Sequence, residues 1–430
     1  MNRRVFNRNL GILSAGILSG IYSCTGPEKK VPAFLIVSGW QTVNIGDIAH
    51  TPGLLALIEK YFPGSPYYLW PRDIEGFGVE AMLKKHFPQL NIVKTNRPGE
   101  TDIKVTEELK TVFDRCDMLL HGSGPHVLEM NKIKLWMEHT GKPFGVCGVT
   151  EQKITPELKE IIDKSAFFFT RETASLKIVR DNMANPEQTG FFPDATFNLT
   201  IHHEDKAESF LKNLGLNDKE FICIVPRLRY TPYHKIHDYI NWNQDKIDEV
   251  NMINDRYKET DHEKLRTVMI NWVQETGNKV LICPEMTYQI DIMDELLIDP
   301  LPNDIKPNVF KKSDFWITDE AASVYKRAFA VISMECHSPI ISLANDTPAF
   351  YIRQKEDTIK GRMYHDIGLS DWVFEIDETD GDRIYNGLKK LINDYPAALK
   401  KITGAYAIIN KQYQQSFEMI NKSIMISSFL

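Results

Sequence analysis

Cysteine is scarce: there are six in 430 residues, with no CxxC or CxxH spacing. That excludes a disulfide scaffold and leaves a structural zinc site without its ligand pattern, so no metal centre is expected. Excess positive charge is missing too. Lys and Arg number 51 against 58 Asp and Glu, a net charge of −7 at pH 7, and no nucleic-acid partner held by bulk electrostatics is expected. A local basic pocket for a small anion is compatible with that balance. No apolar run reaches the roughly 20 residues that span a bilayer, and neither an internal repeat nor a GxGxxG dinucleotide fingerprint occurs. What remains is a chain that is 43% hydrophobic and 10% aromatic, with 24 Gly and 22 Pro scattered along it. Disorder, collagen and coiled coil are excluded by that composition. At roughly 150 residues per domain the length accommodates two or three.

The N-terminus reads as an address. The first acidic residue is Glu28; before it come Arg3, Arg4 and Arg8 and the apolar run Leu10–Ser23. The run is too short to span a membrane and fits a secretory h-region. It ends in Ile21-Tyr22-Ser23-Cys24, which resembles a bacterial lipobox, and Arg3-Arg4-Val5-Phe6 resembles a twin-arginine export signal. Residues 1–24 are therefore expected to be a signal peptide, with Cys24 lipidated and the mature chain exported and membrane-anchored, periplasmic or at the cell surface. Cys116, Cys147, Cys223, Cys283 and Cys336 then remain, mostly in apolar surroundings, and are expected to be buried free thiols.

From residue 31 the pattern is strand, turn, helix, repeated. Ala33–Val37, Pro66–Trp70, Asn91–Lys94, Asp117–His121, Pro143–Val149 and Ala166–Thr170 are short, mostly continuous apolar runs, as strands buried on both faces of a parallel sheet should be. Helices are expected over Pro52–Tyr61 and near Phe77–His86. A charged linker, His202–Lys219, interrupts the series; His202-His203-Glu204-Asp205 within it reads as a solvated charge run. The series restarts with strands at Phe221–Val225, Lys279–Cys283, Ala328–Ser333 and Pro348–Ile352 and a long polar helix, Asp245–Glu275. The expected fold is α/β, with two doubly wound domains (31–200 and 218–382) facing a cleft and C-terminal helices (383–430) packing back across it.

Ligands of open α/β sheets bind at the carboxyl ends of strands, so those exits hold the candidate residues. Asn44 and Asp47 lie between the first strand and its helix, either as turn and cap residues or facing an anionic or hydroxyl-rich ligand. His121-Gly122-Ser123-Gly124 is a second exit, where glycine permits close backbone approach. Arg227 and Arg229 flank Leu228 after a buried strand; strand alternation would put both guanidinium forks on one face, suited to phosphate or carboxylate. His337 follows Glu335 and Cys336 at another exit and is a candidate general acid. Lys355 and Lys360 follow the next strand, within reach of the same cleft, and are expected to be solvated.

In order and spacing these motifs resemble the polysaccharide pyruvyl transferase family over about residues 33–380. The carrying features are Asn44-Ile45-Gly46-Asp47 with Gly53-Leu54-Leu55, then Gly122-Ser123-Gly124 and Thr170-Arg171-Glu172-Thr173-Ala174-Ser175-Leu176. Pro193-Asp194-Ala195-Thr196-Phe197, Arg227/Arg229 and Glu335-Cys336-His337 with Thr347-Pro348 complete the series. The resemblance implies two Rossmann-like domains of the glycosyltransferase-B type. It implies ketal-forming transfer of a pyruvyl group from phosphoenolpyruvate, a co-substrate rather than a bound cofactor, to a sugar of a surface polysaccharide or oligosaccharide. Arg227 or Arg229 would bind the donor anion beside Glu335 and Cys336, and His337 would protonate the enol carbon or stabilise the oxocarbenium-like state. Asn44, Asp47, His121, Gly122 and Ser123 would face the acceptor. The family commonly carries Arg where this chain has Glu335. A second expectation therefore stands beside the first: an exported glycan-binding protein on the same scaffold, without donor chemistry.

Overall fold

Two parallel sheets organise the chain, and each reverses its strand order once. The computed structural model describes residues 31–96, 100 and 102–427. Cys24 and the apolar run before it lie outside the described residues. No described helix is long and apolar enough to cross a membrane.

The first sheet has seven strands: β1 (Phe34–Ser38), β2 (Tyr67–Pro71), β3 (Asn91–Ile92), β4 (Met118–His121), β5 (Phe144–Val149), β6 (Phe167–Thr170) and β7 (Thr189–Phe191). Their spatial order is β3-β2-β1-β4-β5-β6-β7. The second has six: β8 (Phe221–Val225), β9 (Lys279–Ile282), β10 (Val309–Lys311), β11 (Ala330–Ser333), β12 (Ala349–Arg353) and β13 (Val373–Glu375), in the order β10-β9-β8-β11-β12-β13. All pairings are parallel. The central strands β1 and β8 are buried throughout, which is why they read as unbroken apolar runs. The strand order reverses between β1 and β4 and again between β8 and β11. A doubly wound sheet opens its ligand crevice at such points.

Four helices matter for the site. α1 (Ile45–Tyr61) follows β1, α2 (Gln244–Thr276) is the long polar helix, α3 (His337–Leu343) follows β11, and α4 (Tyr395–Ser427) ends the described chain. The C-terminal helix does return across the molecule: Tyr413 Oη donates to the Asp194 carbonyl at 2.7 Å, and Tyr406 Oη to that of Phe197 at 2.9 Å. Both sheets lie in one compact unit, Pro32–Leu430. The five described cysteines are free and buried.

Three expectations need correction. α1 begins at Ile45 rather than at Pro52, because Asn44 supplies the N-cap and the proline is accommodated inside the helix. The edge strands β7, β10 and β13 were not anticipated, since three residues are too few to show a period. Arg227 and Arg229 do not share a face. The chain leaves the sheet after Val225, and side-chain alternation ends with it.

Candidate functional site

Where the two switch points face each other, the carboxyl ends of β1, β8, β9 and β11 enclose a cavity of about 270 Å³. Its floor is sewn together by backbone. The Asn44 carboxamide accepts from Gly46 N at 2.7 Å and Asp47 N at 3.2 Å, starting α1. Ile45 N donates to the Glu285 carbonyl at 2.9 Å and Thr287 N to that of Val43 at 3.1 Å. Thr318 Oγ1 adds a bond to the Ile45 carbonyl at 2.6 Å.

Two glycines of α1 explain this close approach. A Cβ on Gly46 would lie 2.4 Å from the His337 imidazole, and one on Gly53 would lie 2.1 Å from the Ala195 carbonyl oxygen. Helix α1 thus presses on the catalytic-candidate histidine at one glycine and on the Asp194 turn at the other. Gly46→Ala is expected to displace His337 and lower turnover on the order of 10²-fold, the usual consequence of an ångström-scale misplacement. Steady-state kinetics beside an unchanged circular dichroism spectrum would show it; unaltered kinetics would mean that the contact is slack.

Under the cavity lies a buried charge cluster. His337 Nε2 is 3.7 Å from Asp194 Oδ2, and its Nδ1 is 3.6 Å from Glu285 Oε1. Asp194 also takes Arg171 Nη1 at 2.7 Å and His50 Nδ1 at 3.0 Å. Glu285 accepts from Ser338 N at 2.5 Å and Ser338 Oγ at 2.6 Å, in the first turn of α3. Burial disfavours a charged His337, but the two carboxylates outweigh it and push the imidazole up to about 9. At neutral pH His337 is an imidazolium. On His50 burial acts in the same direction and prevails over Asp194, pulling it down toward the neutral form, as a bond between its Nδ1 and Ser123 Oγ at 2.7 Å suits. Two carboxylates, one guanidinium and one imidazolium leave the cluster close to neutral.

Donor atoms of His50, Asp194 and His337 lie within 4.8 Å of one another, a grouping that the sequence does not signal. Asp194 is, however, already engaged by Arg171 and by Thr196 N at 3.0 Å. His337 holds a proton where a metal ligand must give one up. The donor set therefore suits proton handling better than a cation.

The opposite wall is cationic but closely balanced. Arg227 pairs with Asp357 through Nη1, and its Nε stands 3.4 Å from Glu335 Oε1. Lys360 reaches Asp357 at 3.4 Å. Glu335 is held by Gln289, whose Oε1 accepts from Glu285 N at 2.6 Å and Met286 N at 3.0 Å. Those bonds fix the amide, so Gln289 Nε2 must donate to Glu335 Oε1, at 2.8 Å. Burial, opposed by Arg227 and aided by Glu285, pushes the Glu335 carboxyl up to about 8.

The residues expected from sequence sort cleanly. Asn44, Asp47, Arg227, Glu335 and His337 line the cavity, and so does Lys360, which is not solvated. Arg229 does not line it. Only 2% exposed, it is held by Asp261 at 2.6 and 2.9 Å and by Glu356 and Asp377, and it ties the β8 exit to α2. Cys336 is buried behind the lining, where its carbonyl accepts from Tyr364 Oη at 2.6 Å. His121, Gly122 and Ser123 lie beneath the cavity: Ser123 orients His50, and His121 Nε2 bonds the Leu128 carbonyl at 2.9 Å.

A model of the family described as polysaccharide pyruvyl transferase matches residues 44–356, from the cap of α1 to beyond β12. The chain belongs to that family. No curated protein matches the sequence. Among solved structures, the chain is similar to the Anabaena protein HepE in complex with UDP-glucose (TM-score 0.55, 10% identity, 93% of this chain and 100% of that one). It is also similar to the UDP-GlcNAc 2-epimerase of Neisseria meningitidis (0.55, 10%, 91% and 99%) and to the ADP-heptose heptosyltransferase II of E. coli (0.51, 11%, 85% and 99%). At these identities the likeness is one of fold: two facing doubly wound halves. In this pyruvyl transferase family member the residues that sequence reasoning passed over are His50, Arg171, Asp194 and Glu285. Arg171 and Asp194 stood inside the quoted motifs, and charged residues at otherwise apolar strand exits were the available signal. Glu285 carried the same signal, two residues beyond Cys283 at the exit of β9, whereas His50 inside α1 offered none.

Proposed function

We propose that this glycan-modifying transferase moves a pyruvyl group from phosphoenolpyruvate to two hydroxyls of a surface-glycan sugar, with His337 as the acid. The observation that carries the reading is the position of His337, held between two buried carboxylates at the base of a cleft that Arg227 and Lys360 also line. Its proton goes to the methylene carbon of the donor, and the enol double bond supplies the electron pair. The second carbon becomes oxocarbenium-like. One sugar hydroxyl adds there and loses a proton; the carbon–oxygen bond to phosphate then breaks, and a second hydroxyl closes the ketal with loss of its own proton. One of those protons restores His337 and the other leaves with the phosphate. Loose geometry around His337 in the free protein is no obstacle, since catalytic hydrogen bonds commonly tighten on substrate binding. The proposal includes export and lipid anchoring at Cys24, supported by the sequence before it.

Glu335 supports a second reading, a glycan-binding protein that has lost the donor. A carboxylate beside Arg227 would oppose an anion. A carboxyl pushed up to about 8 is neutral at pH 7 and removes that opposition. With the donor phosphate fully ionised above neutral pH, donor affinity should fall as the pH rises through about 8, when Glu335 gains its charge. Glu335→Gln should abolish that step and leave only the later loss of the His337 proton near 9. Calorimetric titration of phosphoenolpyruvate on either side of pH 8 measures this, and phosphate release with candidate glycans measures transfer. Glycan binding without donor binding or phosphate release would establish the second reading.

A further inference from the structure

The segment between β8 and α2, residues 226–243, reaches over the cavity toward the N-terminal half and is rich in rings. Tyr233 stacks on His237 with centroids 6.0 Å apart and 13° between planes, and His237 stacks on Tyr239 at 4.9 Å and 28°. The stack is tied to the opposite half. His237 Nε2 donates to Gln41 Oε1 at 2.8 Å, and Gln41 Nε2 donates to the Asp47 carboxylate in the first turn of α1. The orientation of Gln41 follows from Asp47, which only accepts, so His237 carries its hydrogen on Nε2. Tyr239, 37% exposed, ends the stack on the cavity wall beside Trp40, Asp47 and Arg72. The Arg72 guanidinium is only partly used: its buried Nε stands 3.5 Å from Glu129 Oε1, an ion pair without a hydrogen bond.

The free ring face that ends an aromatic stack, beside a carboxylate and a guanidinium, is amphipathic in one particular way. A pyranose has the matching shape, with C–H groups on its faces and hydroxyls around its rim. The aromatic face takes the C–H groups, and the few convergent polar groups fix orientation through the hydroxyls. We infer that the Tyr233–His237–Tyr239 stack is the subsite for the sugar ring of the acceptor, with Asp47 and Arg72 bonding its hydroxyls. This deepens the proposed function, which names a sugar acceptor but not where its ring rests. Tyr233, Tyr239, Asp47, His337 and Arg227 line one cavity, so a sugar resting on the stack would share it with the donor.

The test is NMR saturation transfer from the full chain to methyl β-glucoside, methyl β-galactoside, methyl α-mannoside and uridine, without donor. At least one pyranoside is expected to receive saturation on one ring face. Tyr239→Ala should weaken that binding roughly three- to tenfold, and Tyr239→Phe should preserve it. Because Tyr239 is half-exposed, the thermal unfolding temperature should be the same in all three proteins. Binding of no pyranoside, binding of uridine alone, or pyranoside binding indifferent to Tyr239→Ala would each overturn the subsite. Phosphate release is not part of this readout. A protein that binds pyranosides through Tyr239 yet releases no phosphate keeps the subsite and loses pyruvyl transfer; the converse pattern does the reverse.

Discussion

Replacing His337 by alanine is expected to lower turnover by about 10²-fold or more, the contribution typical of a positioned general acid. The fold should survive. Asp194 keeps Arg171 at 2.7 Å and Glu285 keeps both bonds to Ser338, so neither carboxylate is stranded. Glycan binding should persist as well, because the aromatic stack that would hold the sugar ring lies on a different segment. Single-turnover phosphate release measures the chemical step, and circular dichroism reports the fold. A His337→Ala protein turning over within tenfold of the natural one would place the acid elsewhere.

Asp194→Asn should have the largest effect on stability. The change keeps the side chain's size but removes the one charge shared by Arg171, His50 and His337. Breaking a buried ion pair by neutralising one partner typically costs about 3–5 kcal/mol, because the other charge stays buried without compensation. The imidazolium loses one of its two carboxylates at the same time, so its proton is held less tightly. Above neutral pH the variant should lose activity at a lower pH than the natural protein, whose limb is set by a group raised to about 9. Urea unfolding and the pH profile of turnover test the two halves separately. Equal unfolding midpoints would show that Arg171 finds another partner, and an unshifted alkaline limb would show that Glu285 alone holds the proton.

Much of the fold was legible because burial leaves a linear trace. β1 and β8 are buried over their whole length, so five-residue apolar runs marked both sheet centres. α2 was bounded to within a residue at each end, since a long polar helix capped by Asn243 and stopped at Gly277 announces its limits. Edge strands of three residues leave no such trace. The start of α1 was misplaced because Pro52 is a strong local signal, whereas the capping by Asn44 is settled by the cleft floor that pins it.

The sequence by itself determined the two α/β halves, the family and the residues at each strand exit, including His337 and Arg227. These are properties of short segments: apolar runs, glycines and charges at fixed distances along the chain. Only the tertiary structure decided which exits meet. His50, Arg171, Asp194 and Glu285 come from four separate elements, and nothing local to any of them records that their side chains converge. It also separated Arg227 from Arg229. Side-chain direction follows a period only while the backbone stays in a strand, and beyond Val225 each guanidinium goes where its carboxylates are: Asp357 and Glu335 for one, Asp261 and Asp377 for the other.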